Sequence, residues 1–131
     1  MFARCVYKLL YTLSKGQFPY LVSLQYIHEG ELNLFPVCGG TIISKTHVLT
    51  AAHCFIEDTR PEKWFVVAGS KRPTISNKYD VKEIKVHPGF VIKPSLSDVA
   101  VLVIKGKFNF HKNLKVMSMA NSFELPKGRS F

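Results

Sequence analysis

The chain has 131 residues, 47% of them apolar, including ten Phe, which excludes a disordered polypeptide and suits one compact domain. A domain of this length buries about two-thirds of the surface of its unfolded chain, so it needs no staples to form a core. Eighteen Lys and Arg against nine Asp and Glu give a net charge of +9, and no apolar run approaches the length of a membrane span.

The first 13 residues carry Arg4 and several apolar side chains, but Lys8 interrupts the stretch and no small-x-small cleavage site follows. They read as lacking an export signal. Residues 1–15 form an atypical N-terminal segment, and Cys5 within it makes the cysteine count odd. A leftover thiol suggests a missing partner or an unusual terminus.

Tyr20–Ile27 is the first predicted strand, with Val22, Leu24 and Tyr26 on one face and Ser23 and Gln25 on the other. Val37–Ile43 and His47–Thr50 follow, joined by Ser44, Lys45 and Thr46 as a short hairpin connection. Cys38 and Cys54 stand 16 positions apart in this region, where a disulfide would clip the hairpin. Ala51–Phe55 has the look of one helical turn.

Trp64–Ala68 is a further strand, ending at Gly69. Tyr79–Val86 alternates and then changes phase, which predicts a bulge near Lys82–Glu83. Val99–Ile104 is apolar at six consecutive positions, the mark of a strand covered on both faces. Six strands with little helical periodicity predict an all-β barrel or sandwich. Residues 107–131 read as an extended trailing segment without a second domain.

The basic residues are scattered. The densest group (Lys71, Arg72, Lys78, Lys82 and Lys85) lacks the interleaved aromatics that stack bases. It reads as a solvated face, with no specific nucleic-acid partner.

Two segments carry the chemical signal: Cys38-Gly39-Gly40-Thr41-Ile42-Ile43 with Val48-Leu49-Thr50-Ala51-Ala52-His53-Cys54, and Ser97-Asp98-Val99-Ala100-Val101-Leu102. Acyl transfer calls for such a pair. A serine hydroxyl is a weak nucleophile until an imidazole takes its proton, and a carboxylate on the other ring nitrogen sets the tautomer and stabilises the cation. His53 is flanked by small residues and anchored by Cys54. Asp98 opens an apolar strand, where a carboxylate needs a hydrogen-bonded partner. Taken bare, a His beside a Cys and an Asp before a strand are commonly structural.

With Gln17-Phe18-Pro19-Tyr20-Leu21-Val22-Ser23-Leu24 ahead of them, these segments resemble, in order and separation, the first half of a chymotrypsin/trypsin-family serine protease. The resemblance runs from residue 16 to 102, with a weaker tail to 131. It implies an antiparallel six-stranded Greek-key barrel over residues 16–106, the first of that family's two barrels. It further implies His53 as general base, Asp98 as its orienting partner, a Cys38–Cys54 disulfide, and a secreted endopeptidase acting on peptides without a cofactor.

Four departures bear on activity. The family's Gly-Asp-Ser-Gly-Gly nucleophile block does not occur in the sequence. Ser95 and Ser97, the serines nearest Asp98, have no oxyanion-hole context. Positions 7–10, where the family has an Ile-Val-Gly-Gly start, read Tyr7-Lys8-Leu9-Leu10, with Val6 at the cleavage position. Ser70–Lys78 has no carboxylate for calcium. His47 stands where Trp or Tyr is common and reads as a partly covered strand residue, while His28, His87 and His111 are isolated and suggest no metal cluster.

These features predict a truncated trypsin-like protein, inactive alone, whose partners in the complete enzyme are a second barrel and a peptide substrate. The alternative is a non-catalytic binding module or decoy. A barrel meant for a missing partner also exposes apolar surface, which predicts poor solubility.

Overall fold

The computed structural model describes residues 19–69, 74, 77–92, 96–110 and 114–117. Cys5, Tyr7–Leu10, Lys71, Arg72, Ser95, His111 and most of the trailing segment lie outside them. Six strands are present: β1 Leu21–Ile27, β2 Leu34–Ile42, β3 His47–Thr50, β4 Trp64–Ala68, β5 Lys78–Val86 and β6 Ala100–Ile104. They close antiparallel in the order β1-β2-β3-β6-β5-β4. The Greek-key crossovers bring β3 beside β6 and β1 beside β4. Closure leaves no strand edge unpaired, and it decides between the barrel and the sandwich that periodicity alone left open.

The core follows from alternation. Val22 and Leu24 of β1, Ile42 of β2, Val48 of β3, Val66 of β4, Val81 of β5 and Leu102 and Ile104 of β6 point into the barrel and are at most 3% exposed. Each buried side chain of this kind stabilises the fold by about 1.5–3 kcal/mol of transfer free energy. Phe108 and Leu114 join the same cluster from beyond β6. Phe108 does so by packing edge-on against Tyr79 with ring centroids 4.7 Å apart, and the Lys115 N–H donates back to the Pro19 carbonyl. Phe108, Leu114 and Lys115 therefore extend the barrel's core and its backbone bonding beyond β6.

Two sequence expectations are modified, and the structure adds a finding about β1. β2 begins at Leu34, three residues before the expected start, because Pro36 and the exposed Phe35 break the alternating pattern. Cys38 pairs with Leu24 and Pro36 with Gln25, which leaves Val37 as the extra residue of a bulge, the position where a strand tolerates a proline. Both faces of β1 are covered, the polar one included: Ser23 and Gln25 are 0% and 1% exposed. Gln25 Nε2 donates to Ser23 Oγ at 3.1 Å, as burial of a polar group requires. β6 is not covered equally on both sides, since Val101 and Val103 on its outer face are only half-buried.

The bulge in β5 falls between Val81 and Glu83, as the phase change predicts. One close approach fixes the β2–β3 hairpin. A Cβ on Gly40 would lie 2.6 Å from Val48 Cγ1 and 3.2 Å from the Leu49 carbonyl oxygen, so β3 can pack this tightly only against a residue with no side chain.

Candidate active site

The chain leaves β3 at Thr50 and makes a single 3-10 turn over Ala52–Phe55. Ala52 and Phe55 are the buried residues of that turn. The Phe55 ring packs edge-on against Trp64 with centroids 4.8 Å apart. With these two anchors inward, the geometry of the turn leaves His53 and Cys54 on its other side. Two further ties hold the turn to β2. Cys54 is disulfide-bonded to Cys38 across a Cα–Cα distance of 6.3 Å, and Thr50 Oγ1 donates to the Gly39 carbonyl at 2.8 Å.

Asp98 reaches the turn from the loop ahead of β6, 45 residues away in sequence. Both carboxylate oxygens engage His53: Oδ1 accepts from the His53 backbone N–H at 2.7 Å, and Oδ2 lies 2.5 Å from His53 Nδ1. A carboxylate gripped at both oxygens cannot rotate without breaking a bond, and the imidazole is fixed with it. Burial pushes the Asp98 carboxyl up. The hydrogen bonds from the His53 ring, the His53 backbone and the Ala52 backbone outweigh that and hold it below the ordinary carboxylate value. An ionised carboxylate only accepts, so Nδ1 must carry the proton. In the neutral ring the lone pair then resides on Nε2. The side chains of His53 and Asp98 are 35% and 25% exposed, while the His53 Nε2 atom itself is buried.

The pair sits between two clefts. Asp98 lines one of about 400 Å³ together with Gly39, Gly40, Thr41, Thr50 and Ala51. His53 lines the other, of about 620 Å³, with Tyr26, His28, Val37, Arg60 and Trp64. The second cleft contains a cluster that the sequence pattern does not single out. Asp58 Oδ1 accepts from Arg60 N and Nε at 2.9 and 3.0 Å, while Oδ2 accepts from Arg60 Nη2 at 2.8 Å and from the Tyr26 hydroxyl at 2.5 Å. The Arg60 side chain, then Tyr26 and the Arg60 backbone, hold the Asp58 carboxyl far below its ordinary value. The hydrogen bond to Asp58 raises the Tyr26 hydroxyl in turn. In sequence, the only trace is an Asp two positions before an Arg, inside a loop of residues 57–63.

Among the described residues, Cys38, His53 and Cys54 place donor atoms within 4.8 Å of one another. Both sulfurs are consumed by the disulfide. A metal needs the thiolates, so this donor set does not fit one. The other described histidines have other partners. His47 is half-buried on β3 with Nδ1 2.7 Å from Thr46 Oγ1, His28 packs edge-on against Tyr26 and Phe35, and His87 Nδ1 accepts from the Gly89 N–H. No helix among the described residues is long and apolar enough to cross a membrane.

Residues 11–130 match the family model described as Trypsin. A similar curated protein is transmembrane protease serine 11A of Homo sapiens, 31% identical over 103 residues. The alignment takes in 77% of this chain and 23% of that protein, so the chain spans under a quarter of the relative's length. Together with a closed six-stranded barrel that brings a disulfide-anchored histidine onto an aspartate, the match shows that the chain belongs to the trypsin family of serine proteases.

Proposed function

We propose that the chain supplies the base and the orienting carboxylate of a trypsin-like serine endopeptidase, while the nucleophilic serine and the oxyanion hole come from outside these 131 residues. The observation that carries this reading is the two-point grip of Asp98 on His53, by ring and by backbone. It is more than a buried histidine needs for satisfaction, and it is what a proton-transferring imidazole needs for orientation.

In the proposed reaction a serine Oγ attacks the scissile carbonyl carbon as His53 Nε2 takes the hydroxyl proton, and the resulting imidazolium is stabilised by Asp98. The tetrahedral intermediate collapses with cleavage of the C–N bond as Nε2 gives the proton to the leaving amine. Water then repeats the sequence on the acyl-enzyme and restores the serine. The substrate class is peptide, by family. The barrel unit is residues 16–106, and the site of action of the complete protein is extracellular.

On this reading the 131-residue chain alone hydrolyses nothing, because neither a nucleophile nor oxyanion donors are in place. Incubation with peptide esters tests it. The expected result is turnover indistinguishable from buffer, with turnover appearing when a second barrel carrying a Gly-Asp-Ser-Gly-Gly block is assembled with the chain. Turnover by the chain alone would contradict the proposal. A well-folded chain that stays inert in every such assembly would favour the binding module.

A further inference from the structure

Among the described residues, Ser97 is the single non-glycine residue with positive φ, at 54°. That left-handed conformation is uncommon for a residue bearing a Cβ and calls for a reason. Ser97 directly precedes Asp98. The next N–H after the aspartate, that of Val99, donates back to the Ser97 carbonyl at 2.8 Å. Asp98 is thus the central residue of a three-residue turn. Ser97 and Val99 face solvent, and Asp98 alone of the three turns inward.

The turn has a fixed frame. Val91 and Leu96 exchange backbone hydrogen bonds at 3.0 and 3.1 Å, and the His87 N–H donates to the Val99 carbonyl at 2.9 Å. These bonds close the loop between β5 and β6 on both sides of the turn. Gly89 lies against the left-handed residue: a Cβ there would come within 3.3 Å of Ser97 Oγ and 3.2 Å of the His87 ring. A side chain at position 89 would therefore crowd both Ser97 and His87, and the glycine lets the two approach this part of the loop.

We propose that Ser97 is a positioning residue, whose left-handed backbone, held in a turn with its side chain beside Gly89, aims the Asp98 carboxylate at both His53 donors. A residue at 97 in the extended region would send the chain into β6 without the turn, and the Asp98 side chain would leave the line of the imidazole. Backbone strain persists where surrounding structure over-determines it, and it gathers at functional sites. The proposal rests on the His53–Asp98 pairing of the proposed function, but it does not require turnover.

The test compares Ser97→Gly and Ser97→Asn, which tolerate positive φ, with Ser97→Val, whose branched Cβ opposes it. The readouts are the downfield proton resonance of the His53 Nδ1–H and the titration of the Asp98 carboxyl carbon, both in the whole chain. Ser97→Gly and Ser97→Asn are expected to keep the resonance. Ser97→Val is expected to lose it and to move the Asp98 titration up toward the ordinary carboxylate value.

Ile84→Ala, which loosens the β5–β6 pair away from the site, is expected to lower Tm and leave both readouts in place. Retention of the resonance in a folded Ser97→Val, or equal loss in Ile84→Ala, would overturn the proposal. If Ser97→Val does not fold, Ser97→Thr takes its place with the same two outcomes. Absence of the resonance in the unmodified chain would instead remove the pairing itself, so the two failures are distinguishable.

Discussion

Asp58 and Asp98 are both carboxylates held below their ordinary range by hydrogen bonds, and they differ in where the donors come from. Asp58 takes three of its four from Arg60, two residues on, and the fourth from Tyr26 of β1. Asp98 is gripped by the ring and backbone of a residue 45 positions away. A local grip organises a loop, whereas the long-range grip exists only once β3 and β6 are paired, so it transmits the barrel's rigidity to an imidazole. Strength of hydrogen bonding does not separate the two carboxylates. The partner does, since an imidazole can move a proton at neutral pH and a guanidinium cannot.

The two carboxylates should differ most in an assembled enzyme. Asp98→Asn leaves the shape and replaces an acceptor-only group with one that can donate, which allows the wrong tautomer. A loss of about ten-thousand-fold in kcat is expected, while Asp58→Asn leaves kcat within a small factor. Steady-state hydrolysis of a peptide ester checks both, and a comparable loss in Asp58→Asn would show that the two carboxylates share one task.

Removing the disulfide comes next. Its loop of 16 residues implies a cost of about 3 kcal/mol for Cys38→Ser with Cys54→Ser, read from denaturant unfolding. Gly40→Ala forces a methyl group into Val48 and the Leu49 carbonyl and is expected to cost about 1–3 kcal/mol. Both changes fall on the β2–β3 side that carries His53, so the His53 Nδ1 proton resonance should broaden in each.

The smallest effect is on acid stability. Both carboxyls lie lower in the folded chain than in the unfolded chain, so their contribution is present above the ordinary carboxylate value of about 4 and is lost as pH falls through the folded values. Tm should hold near neutral pH and decline below about pH 4. Asp58→Asn should flatten part of that decline. Arg60 is more than half exposed, which screens the pair and keeps the change modest. An unchanged acid limb in Asp58→Asn would show that the Asp58 cluster does not contribute to folding.

The barrel strands are legible where alternation or a continuous apolar run is strong, as in His47–Thr50, Trp64–Ala68 and the bulged strand read as Tyr79–Val86, which in the structure starts one residue earlier at Lys78. The start of β2 was hidden by Pro36, whose tolerance depends on a bulge that only the partner strand defines. Burial of Ser23 and Gln25 was not legible either, because an alternating pattern states which residues are polar and not what covers them. His53 and Asp98 were readable through short blocks that resemble a family. Tyr26, Asp58 and Arg60 were not, since their meeting is made by a loop fold and by the Trp64 Nε1 bond to the Asp58 carbonyl. The left-handed Ser97 left no trace in residue type, as serine adopts that conformation only under tertiary constraint.

In the proposed function His53, held by Asp98, activates a serine that lies outside these residues. The most direct measurement is labelling by a serine-directed fluorophosphonate, mapped by peptide mass, on the chain alone and on the chain assembled with a second barrel. The expected result is no adduct on any serine of residues 1–131, and one adduct on the second barrel that disappears in His53→Ala. An adduct within the 131 residues, or labelling of the second barrel that survives His53→Ala, would contradict it.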